Sequence, residues 1–209
     1  MIQIENIEVF GWKAAIRGMR NPMNSWSRSD STFDGAVQIG PNDLKLMQDL
    51  TKGGGPHRKF LRMIHVCVDI TAPLYWWKEF DTYKVGTVAN SCSTMHKIHS
   101  KEFTLDDFST EHLDTAGLQV FEFIIDYLNA SRQAFLMSGK KDKNFWWNMI
   151  QMLPTSYNQK RTIDMNYETV INIIKYRTGH KLDEWNVFVE AMKTLPYLMD
   201  IYVGEDNGN

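Results

Sequence analysis

The chain has 209 residues, of which 43% are hydrophobic and 23% are charged, close to the ordinary globular average. The formal net charge is −2, with acids and bases mixed along the chain, so the basic surface that a duplex-binding protein requires is absent from the sequence. The two cysteines cannot form a disulfide framework for a chain of this size, and no segment approaches roughly 18 uninterrupted apolar residues. We therefore expect one domain, residues 1–209, in the cytoplasm, with no membrane span and no nucleic-acid partner.

The first part of the chain alternates regular segments with long polar ones. Alternating apolar residues predict a strand over residues 1–10, and a short helix is predicted over residues 12–19. The sixteen residues that end at Gly35 are rich in Asn, Ser, Asp and Gly, and a loop of this length in a compact domain is either functional or mobile. A helix is predicted after Pro41, with Asn42 as its cap.

A second strand and a second group of helices follow. Residues 63–70 alternate with the period of a strand, and Pro73 is placed to begin a helix over residues 74–83. Residues 84–100 sustain neither period and are predicted to be irregular, as a ligand-facing segment or a loop. The C-terminal half predicts helices over about 112–137, 145–153, 167–177 with Asn166 as cap, and 183–203 with a kink at Pro196; a polar connection is expected over 155–165.

Three segments together resemble the flavin-dependent thymidylate synthases, the family that methylates dUMP with FAD, a reduced nicotinamide and methylenetetrahydrofolate. One is the alternating strand followed by Ala72-Pro73, a helix and an Asn/Ser-rich segment. Another is the heptapeptide 90–96, NSCSTMH, which is similar to the family's Asn-(Glu/Gln)-x-Ser-x-Arg-Tyr. The last consists of Leu153-Pro154, Asn166, Asn172 and Arg177, whose spacing matches the family's C-terminal motif. The resemblance covers nearly the whole chain.

The sequence departs from the family where the family has arginines. The Arg-His-Arg signature falls on Thr82-Tyr83-Lys84, and the other arginine positions carry Met95, Ile150 and Glu168. Ser91 stands where the family has Glu or Gln. A guanidinium binds phosphate through two parallel hydrogen bonds, which Lys imitates only as a point charge. Losing several of them weakens the binding of a nucleotide and of FAD, at roughly 1.5–3 kcal/mol for each charged hydrogen bond.

The resemblance still implies a set of site residues. Arg177 would polarise the pyrimidine as the catalytic residue, although it could also be a last-turn arginine that compensates a helix C-terminus. Asn166 could be only a helix cap, Asn172 could simply be exposed, and the Asn/Ser segment could be a plain polar loop. The predicted nucleotide-binding residues are Lys78, Lys84, Asn90, Ser91, Ser93 and Arg177, and the predicted cofactor-binding residues are Tyr83, Asn166 and Asn172.

A metal site is the weakest of the alternatives. Cys92, His96 and His99 form a C-x3-H-x2-H pattern, but a structural zinc site takes four ligands and a catalytic one is usually supported by a carboxylate. We expect no metal.

The fold implied by the resemblance is α/β (α+β), an antiparallel sheet flanked by helices with a helical C-terminal half, assembled as a homotetramer. Two functions remain open. The first is an enzyme that binds a dUMP-like pyrimidine nucleotide and FAD and transfers a methyl group to the base. The second is a catalytically silent homologue, of cellular or phage origin, that binds or sequesters a nucleotide.

Overall fold

A computed structural model describes residues 2–202, and within them the chain divides into two compact units. Unit 1 comprises residues 2–3, 70–82 and 90–162, and unit 2 comprises residues 4–69, 83–89 and 163–202. The single domain expected over residues 1–209 stays a prediction.

The described residues contain an antiparallel sheet of four strands with helices around it, which confirms the predicted fold class. The strands are β1 (Gln3–Phe10), β2 (His65–Pro73), β3 (Thr87–Ser91) and β4 (Asn158–Asn166), in the order β1-β2-β4-β3. The helices are α1 (Trp12–Arg20), α2 (Pro41–Lys52), α3 (Leu74–Phe80), α4 (Thr94–Lys97), α5 (Thr115–Met137), α6 (Lys143–Met152), α7 (Tyr167–Arg177), α8 (Asp183–Lys193) and α9 (Leu198–Ile201). Within residues 2–202, no helix is both long enough and apolar enough to cross a bilayer.

Two strands were not predicted. Residues 84–100, expected to be irregular, contain β3 and α4, and the expected polar connection over 155–165 contains most of β4. In β4 the side chains of Gln159, Ile163 and Met165 are buried, and the indole Nε1 of Trp77 donates to the Gln159 carbonyl at 2.9 Å. The β4 segment therefore forms a strand despite its polar sequence, because it lies between β2 and β3 and hydrogen-bonds to both.

Several helix ends also differ from the predictions. Helix α3 ends at Phe80 rather than Tyr83, and α5 begins at Thr115 because the Asp114 carboxylate caps it, accepting from Gly117 N at 2.7 Å. The last predicted helix is broken rather than kinked at Pro196: α8 ends at Lys193 and α9 begins at Leu198. Its predicted end at residue 203 lies outside the described residues.

The predicted cap of α2 was wrong. Gly40 occupies the N-cap position, and the side chain of Asn42 makes no capping hydrogen bond. Asp30, from the preceding loop, accepts from the backbone N–H groups of Asn42 at 2.8 Å and Asp43 at 3.0 Å. The Asp30 carboxylate, from outside the helix, thus accepts the hydrogen bonds that a local cap would accept.

Each unit has its own apolar core. In unit 1, α5 and α6 pack around the buried side chains of Phe108, Phe121, Leu128 and Met149. In unit 2, the edge of Trp12 contacts Tyr167 with ring centroids 5.3 Å apart, and burial raises the pKa of the Tyr167 hydroxyl, which donates to the Pro196 carbonyl at 2.8 Å.

Gly11 permits a close chain approach beside the unit 2 core. Its φ is 96°, and a Cβ there would lie 2.0 Å from the Met63 carbonyl oxygen, so only glycine fits at this position.

Candidate functional site

Unit 1 contains a cavity of about 270 Å³ with three lysines on its wall, which we call the lysine cavity. Its hydroxyl groups come from Ser93, Thr94 and Ser100, and its amide side chains from Asn158 and Gln159. The ammonium groups belong to Lys97, Lys101 and Lys160. Positive charge beside hydroxyl donors is the chemistry that binds a phosphate or another small oxyanion.

Ser93 is held in place by the turn that follows it. Its Oγ accepts from His96 N at 3.1 Å and so caps α4, which leaves the hydroxyl hydrogen able to donate to an anion. Lys101 is paired with the Asp107 carboxylate, and the hydrogen bond between them raises the pKa of Lys101, so this lysine is cationic.

A chain of hydrogen bonds fixes one wall of the lysine cavity. Gln159 Nε2 donates to the Cys92 carbonyl at 2.8 Å, and Gln159 Oε1 accepts from Arg161 Nε at 3.0 Å. The Arg161 guanidinium also donates to Asp81 at 2.7 Å and lies 4.3 Å from the centroid of the Trp77 ring. Arg161 therefore positions Gln159 without lining the cavity itself.

Unit 2 brings together two of the predicted site residues, Arg177 and Tyr83. Arg177 Nε donates to the Tyr83 hydroxyl at 2.9 Å, and Arg177 Nη1 lies 3.0 Å from His180 Nε2. The guanidinium carbon is 4.6 Å from the Trp185 ring centroid and 5.5 Å from that of Tyr83. We call these four side chains the arginine cluster. Its guanidinium is already surrounded by side chains of the same chain.

The start of α7 holds the other notable polar groups of unit 2. Asn166 is the predicted cap: it is buried, and its Oδ1 accepts from Thr169 N at 3.0 Å. Glu168 pairs with Arg58 at 3.2 Å and with Arg62, both from the 3-10 turn Arg58–Met63. The acid at this position is thus compensated by two arginines from another segment.

The loop after Lys84 is hydrogen-bonded to the first turn of α7. Thr169 Oγ1 donates to the Val85 carbonyl at 3.2 Å. Gly86 has a φ of 74°, and a Cβ there would lie 2.4 Å from Asn166 Nδ2. Glycine at position 86 therefore allows the loop to pass directly over the Asn166 side chain.

Solved structures resemble this fold over nearly the whole chain. The thymidylate synthase ThyX from Helicobacter pylori, with FAD and dUMP, matches with a TM-score of 0.67 at 16% identity, covering 96% of each chain. The UMP/dUMP methylase PolB from Streptomyces cacaoi, bound with 5-Br dUMP, matches with a TM-score of 0.68 at 14% identity, covering 97% of this chain and 94% of that one. This chain has the flavin-dependent thymidylate synthase fold. No family model and no curated protein sequence matches it.

In this thymidylate synthase fold, the predicted site residues are divided between different environments. Ser93 lines the lysine cavity, whereas Lys78, Lys84, Asn90 and Ser91 are exposed and lie outside it. Tyr83 and Arg177 lie in the arginine cluster, Asn166 caps α7, and Asn172 is half-buried along α7. The roles assigned to these residues from the resemblance stay predictions.

Sequence reasoning missed several residues of these environments, among them the three lysines of the cavity and two members of the arginine cluster. Lys97 and Lys101 follow Ser93 by four and eight residues, and His180 follows Arg177 by three, so their nearness to predicted residues was a usable signal. Lys160 and Trp185 gave none, since Lys160 lies on the unpredicted β4 and Trp185 looks like an ordinary core residue.

The zinc pattern is not assembled. Among residues 2–202, no three His, Cys, Asp or Glu side chains come together as metal ligands. The ring of His99 packs instead against Phe135, with centroids 5.2 Å apart.

Proposed function

We propose that this protein binds a pyrimidine nucleoside monophosphate such as dUMP, with its phosphate in the lysine cavity. The observation that carries the proposal is the convergence of Lys97, Lys101 and Lys160 with the Ser93 hydroxyl around one cavity. The ammonium groups of these lysines supply positive charge of the kind that binds a phosphate dianion. The ThyX structure that shares this fold contains dUMP, which supports the choice of ligand.

The geometry favours binding without methyl transfer as the first candidate. The resemblance assigns Arg177 to polarise the base, but the Arg177 guanidinium is engaged by Tyr83, His180 and Trp185. A donor that already has partners in its own chain loses those contacts when it turns to a ligand, and this cost weakens ligand binding. The protein is therefore proposed to retain the nucleotide-binding scaffold and to bind or sequester its ligand.

Methyl transfer with FAD is the second candidate, and the specific observation in its favour is the FAD and dUMP in the ThyX structure. The residues that the resemblance assigns to the cofactor do not fit an FAD pyrophosphate well. Asn166 is used as a helix cap, Tyr83 is bonded to Arg177, and the Glu168 carboxylate offsets one of the charges of Arg58 and Arg62. A pyrophosphate needs compensating positive charge at this place.

We also propose a homotetramer and a cytoplasmic location. Val120, Phe123 and Tyr127 are spaced three and four residues apart on α5, and their side chains are 62%, 76% and 45% exposed. An apolar stripe of this kind is suited to an interface with a second copy of the chain. Both cysteines are free thiols, which accords with a reducing compartment.

The test is a titration of dUMP followed by thermal unfolding. Because a ligand specific to the folded state stabilises it by mass action, dUMP at 100 times its Kd raises the free energy of unfolding by about 2.7 kcal/mol. We expect Lys97→Gln to weaken dUMP binding by about tenfold or more, since it removes a charge-assisted hydrogen bond. Lys52→Gln, at an exposed lysine on α2, is the matched control and leaves binding unchanged.

The same samples separate the two candidates. Binding of dUMP by a colourless protein that takes up no added FAD supports the binding protein and excludes the flavin enzyme. Flavin absorbance in the purified protein, or saturable uptake of FAD, supports the enzyme instead. No stabilisation by dUMP, or equal binding by Lys97→Gln, would refute the proposed phosphate site.

A further inference from the structure

A second cavity, of about 190 Å³, lies in unit 2 between α1 and the loop over residues 21–40. Helix α1 contributes three cationic side chains to its wall, and the loop contributes two aromatic rings and a hydroxyl. The residues that carry the argument are Lys13, Arg17, Arg20, Trp26, Ser29 and Phe33. The lining residues that the structure describes include no carboxylate, so the wall combines positive charge with aromatic surface.

The loop that forms this wall is fixed in shape although it has little regular structure. The fully buried Asp43 carboxylate accepts from Arg20 Nε at 2.6 Å, from Ser29 Oγ and Ser31 Oγ at 2.7 Å, and from the N–H groups of Asp30 and Ser31 at 3.1 Å. Four of these five hydrogen bonds come from the loop itself, and they decide between the two alternatives for a long loop, since they hold its middle against α2. The cavity is therefore preformed, which lowers the entropic cost of binding.

Trp26 presents a large aromatic surface that its own chain leaves uncovered. Its side chain is 50% exposed, and its indole Nε1 donates to Asn21 Oδ1 at 2.9 Å, which fixes the orientation of the ring. An oriented, half-exposed indole offers a stacking face to a planar ring, and such stacking contributes about 1–3 kcal/mol in nucleic-acid complexes.

The three cations differ in what they can do. Arg20 is buried and its charge is compensated by Asp43, so it serves mainly to build the wall. Lys13 and Arg17 lie one turn apart on the exposed side of α1 and have no ion-pair partner among the described residues. Their charges are available to an anion, and the Arg17 guanidinium can hold a carboxylate or phosphate through two hydrogen bonds.

We propose that this cavity binds a small organic anion built on a planar ring, with the ring against Trp26 and the carboxylate or phosphate on Arg17 and Lys13. The volume limits the ligand to about one ring, because sites for drug-sized molecules occupy roughly 300–1,000 Å³. All of its lining residues belong to unit 2, and none of them lines the lysine cavity. The proposal is independent of the proposed function.

The experiment follows the indole N–H signals of the ¹⁵N-labelled protein by NMR, with the Trp26 signal assigned by its loss in Trp26→Phe. The probes are benzoate and phenyl phosphate, which distinguish a carboxylate from a phosphate ligand. Cyclohexanecarboxylate keeps the charge without the flat ring, and benzamide keeps the ring without the charge. We expect benzoate, phenyl phosphate or both to shift the Trp26 signal saturably. Each control compound should bind with an affinity lower by about tenfold or more.

Two surface variants complete the test without disturbing the fold. Arg17→Gln should weaken the bound probe by about tenfold or more, because a charged hydrogen bond is lost. Arg28→Gln, at an exposed arginine on the same loop that does not line the cavity, should leave the affinity unchanged. A Trp26 signal that neither probe shifts, equal binding by Arg17→Gln, or equal binding of cyclohexanecarboxylate and benzoate would overturn the proposal.

Discussion

At the residue scale, Asp43 joins α1, α2 and the loop between them through one carboxylate. Burial raises the pKa of this carboxyl, but hydrogen bonds from Ser31, Ser29, Arg20 and the Asp30 N–H outweigh burial and hold its pKa below the usual value. The ionised form is thus the one for which the fold is built. Removing one partner of a buried ion pair leaves an uncompensated buried charge. The stability lost in this way exceeds the net stability that the intact pair contributes.

Arg20→Met tests the cost of leaving the buried Asp43 carboxylate without its ion-pair partner, since the Arg20 side chain is itself almost fully buried. The variant keeps an unbranched apolar side chain and loses the guanidinium with its charge, so we expect the free energy of unfolding to fall by about 3–5 kcal/mol. Urea unfolding at neutral pH measures the change. Arg17→Met, on the exposed side of the same helix, is the control and should change stability by no more than about 0.5 kcal/mol. Similar losses in the two variants would contradict a structural role for the Arg20–Asp43 pair.

His99 gives unit 1 a dependence on pH. Burial lowers the pKa of His99, and the charges of Lys140, Lys97 and Arg132 lower it further. The unfolded chain therefore binds a proton that the folded chain excludes, and this difference begins as the pH falls through about 6.5, the ordinary histidine value. Stability should decline below that pH.

Replacing His99 by Gln, which does not titrate, should reduce the loss of stability between about pH 6.5 and pH 5. The measurement is the urea midpoint at a series of pH values. His57→Gln removes an exposed histidine and serves as the control. An unchanged slope in His99→Gln would mean that another group causes the acid sensitivity.

At the scale of elements, α5 has two apolar sides. Phe121, Leu128 and Phe135 face the unit 1 core, while Val120, Phe123 and Tyr127 are exposed. A helix that is apolar on more than its core face requires a second partner, and the proposed tetramer supplies one.

Phe123→Glu places a charge in the middle of the exposed stripe and should lower the oligomeric state, because an unpaired charge is costly to bury in an interface. Light scattering after gel filtration gives the mass directly. Gln133→Glu adds the same charge at an exposed position on the polar side of α5 and should leave the mass unchanged. A monomeric wild-type protein, or an assembly that tolerates Phe123→Glu, would disprove this interface.

The elements also show which parts of a structure a sequence can predict. The cap of α7 was predictable because capping is a local event: the Asn166 side chain bonds a backbone group three residues away. The alternation of β2 was visible because its buried face is uniformly apolar. Strand β4 was missed because it is rich in polar side chains, and the buried Gln159 among them donates to the Cys92 carbonyl, a partner distant along the chain. The cap of α2 was misassigned for the same reason, since Asp30 acts from outside the helix.

At the scale of the whole molecule, fold and site chemistry depend on different residues. The fold follows from periodic burial and caps, and a TM-score of 0.67 at 16% identity shows that two very different sequences satisfy that pattern. The proposed phosphate site depends on a few charges, those of the lysines around the unit 1 cavity, and the Glu168 carboxylate is paired with Arg58 and Arg62. The sequence did not show that Lys160 joins Lys97 and Lys101, or that Arg58 and Arg62 pair with Glu168, because these partners are distant along the chain.

The Asp43 carboxylate also affects how readily a protease cleaves the loop over residues 21–40. A protease needs an extended, pliable segment in its cleft, and exposed loops are its preferred sites. The loop over residues 21–40 is exposed along much of its length, yet four hydrogen bonds tie its middle to the buried Asp43 carboxylate. We expect trypsin to spare Arg28 in the native protein and to cut there rapidly in Asp43→Ala, a difference that mass spectrometry of the fragments would reveal. Rapid cutting at Arg28 in the native protein would show that the loop opens despite these bonds.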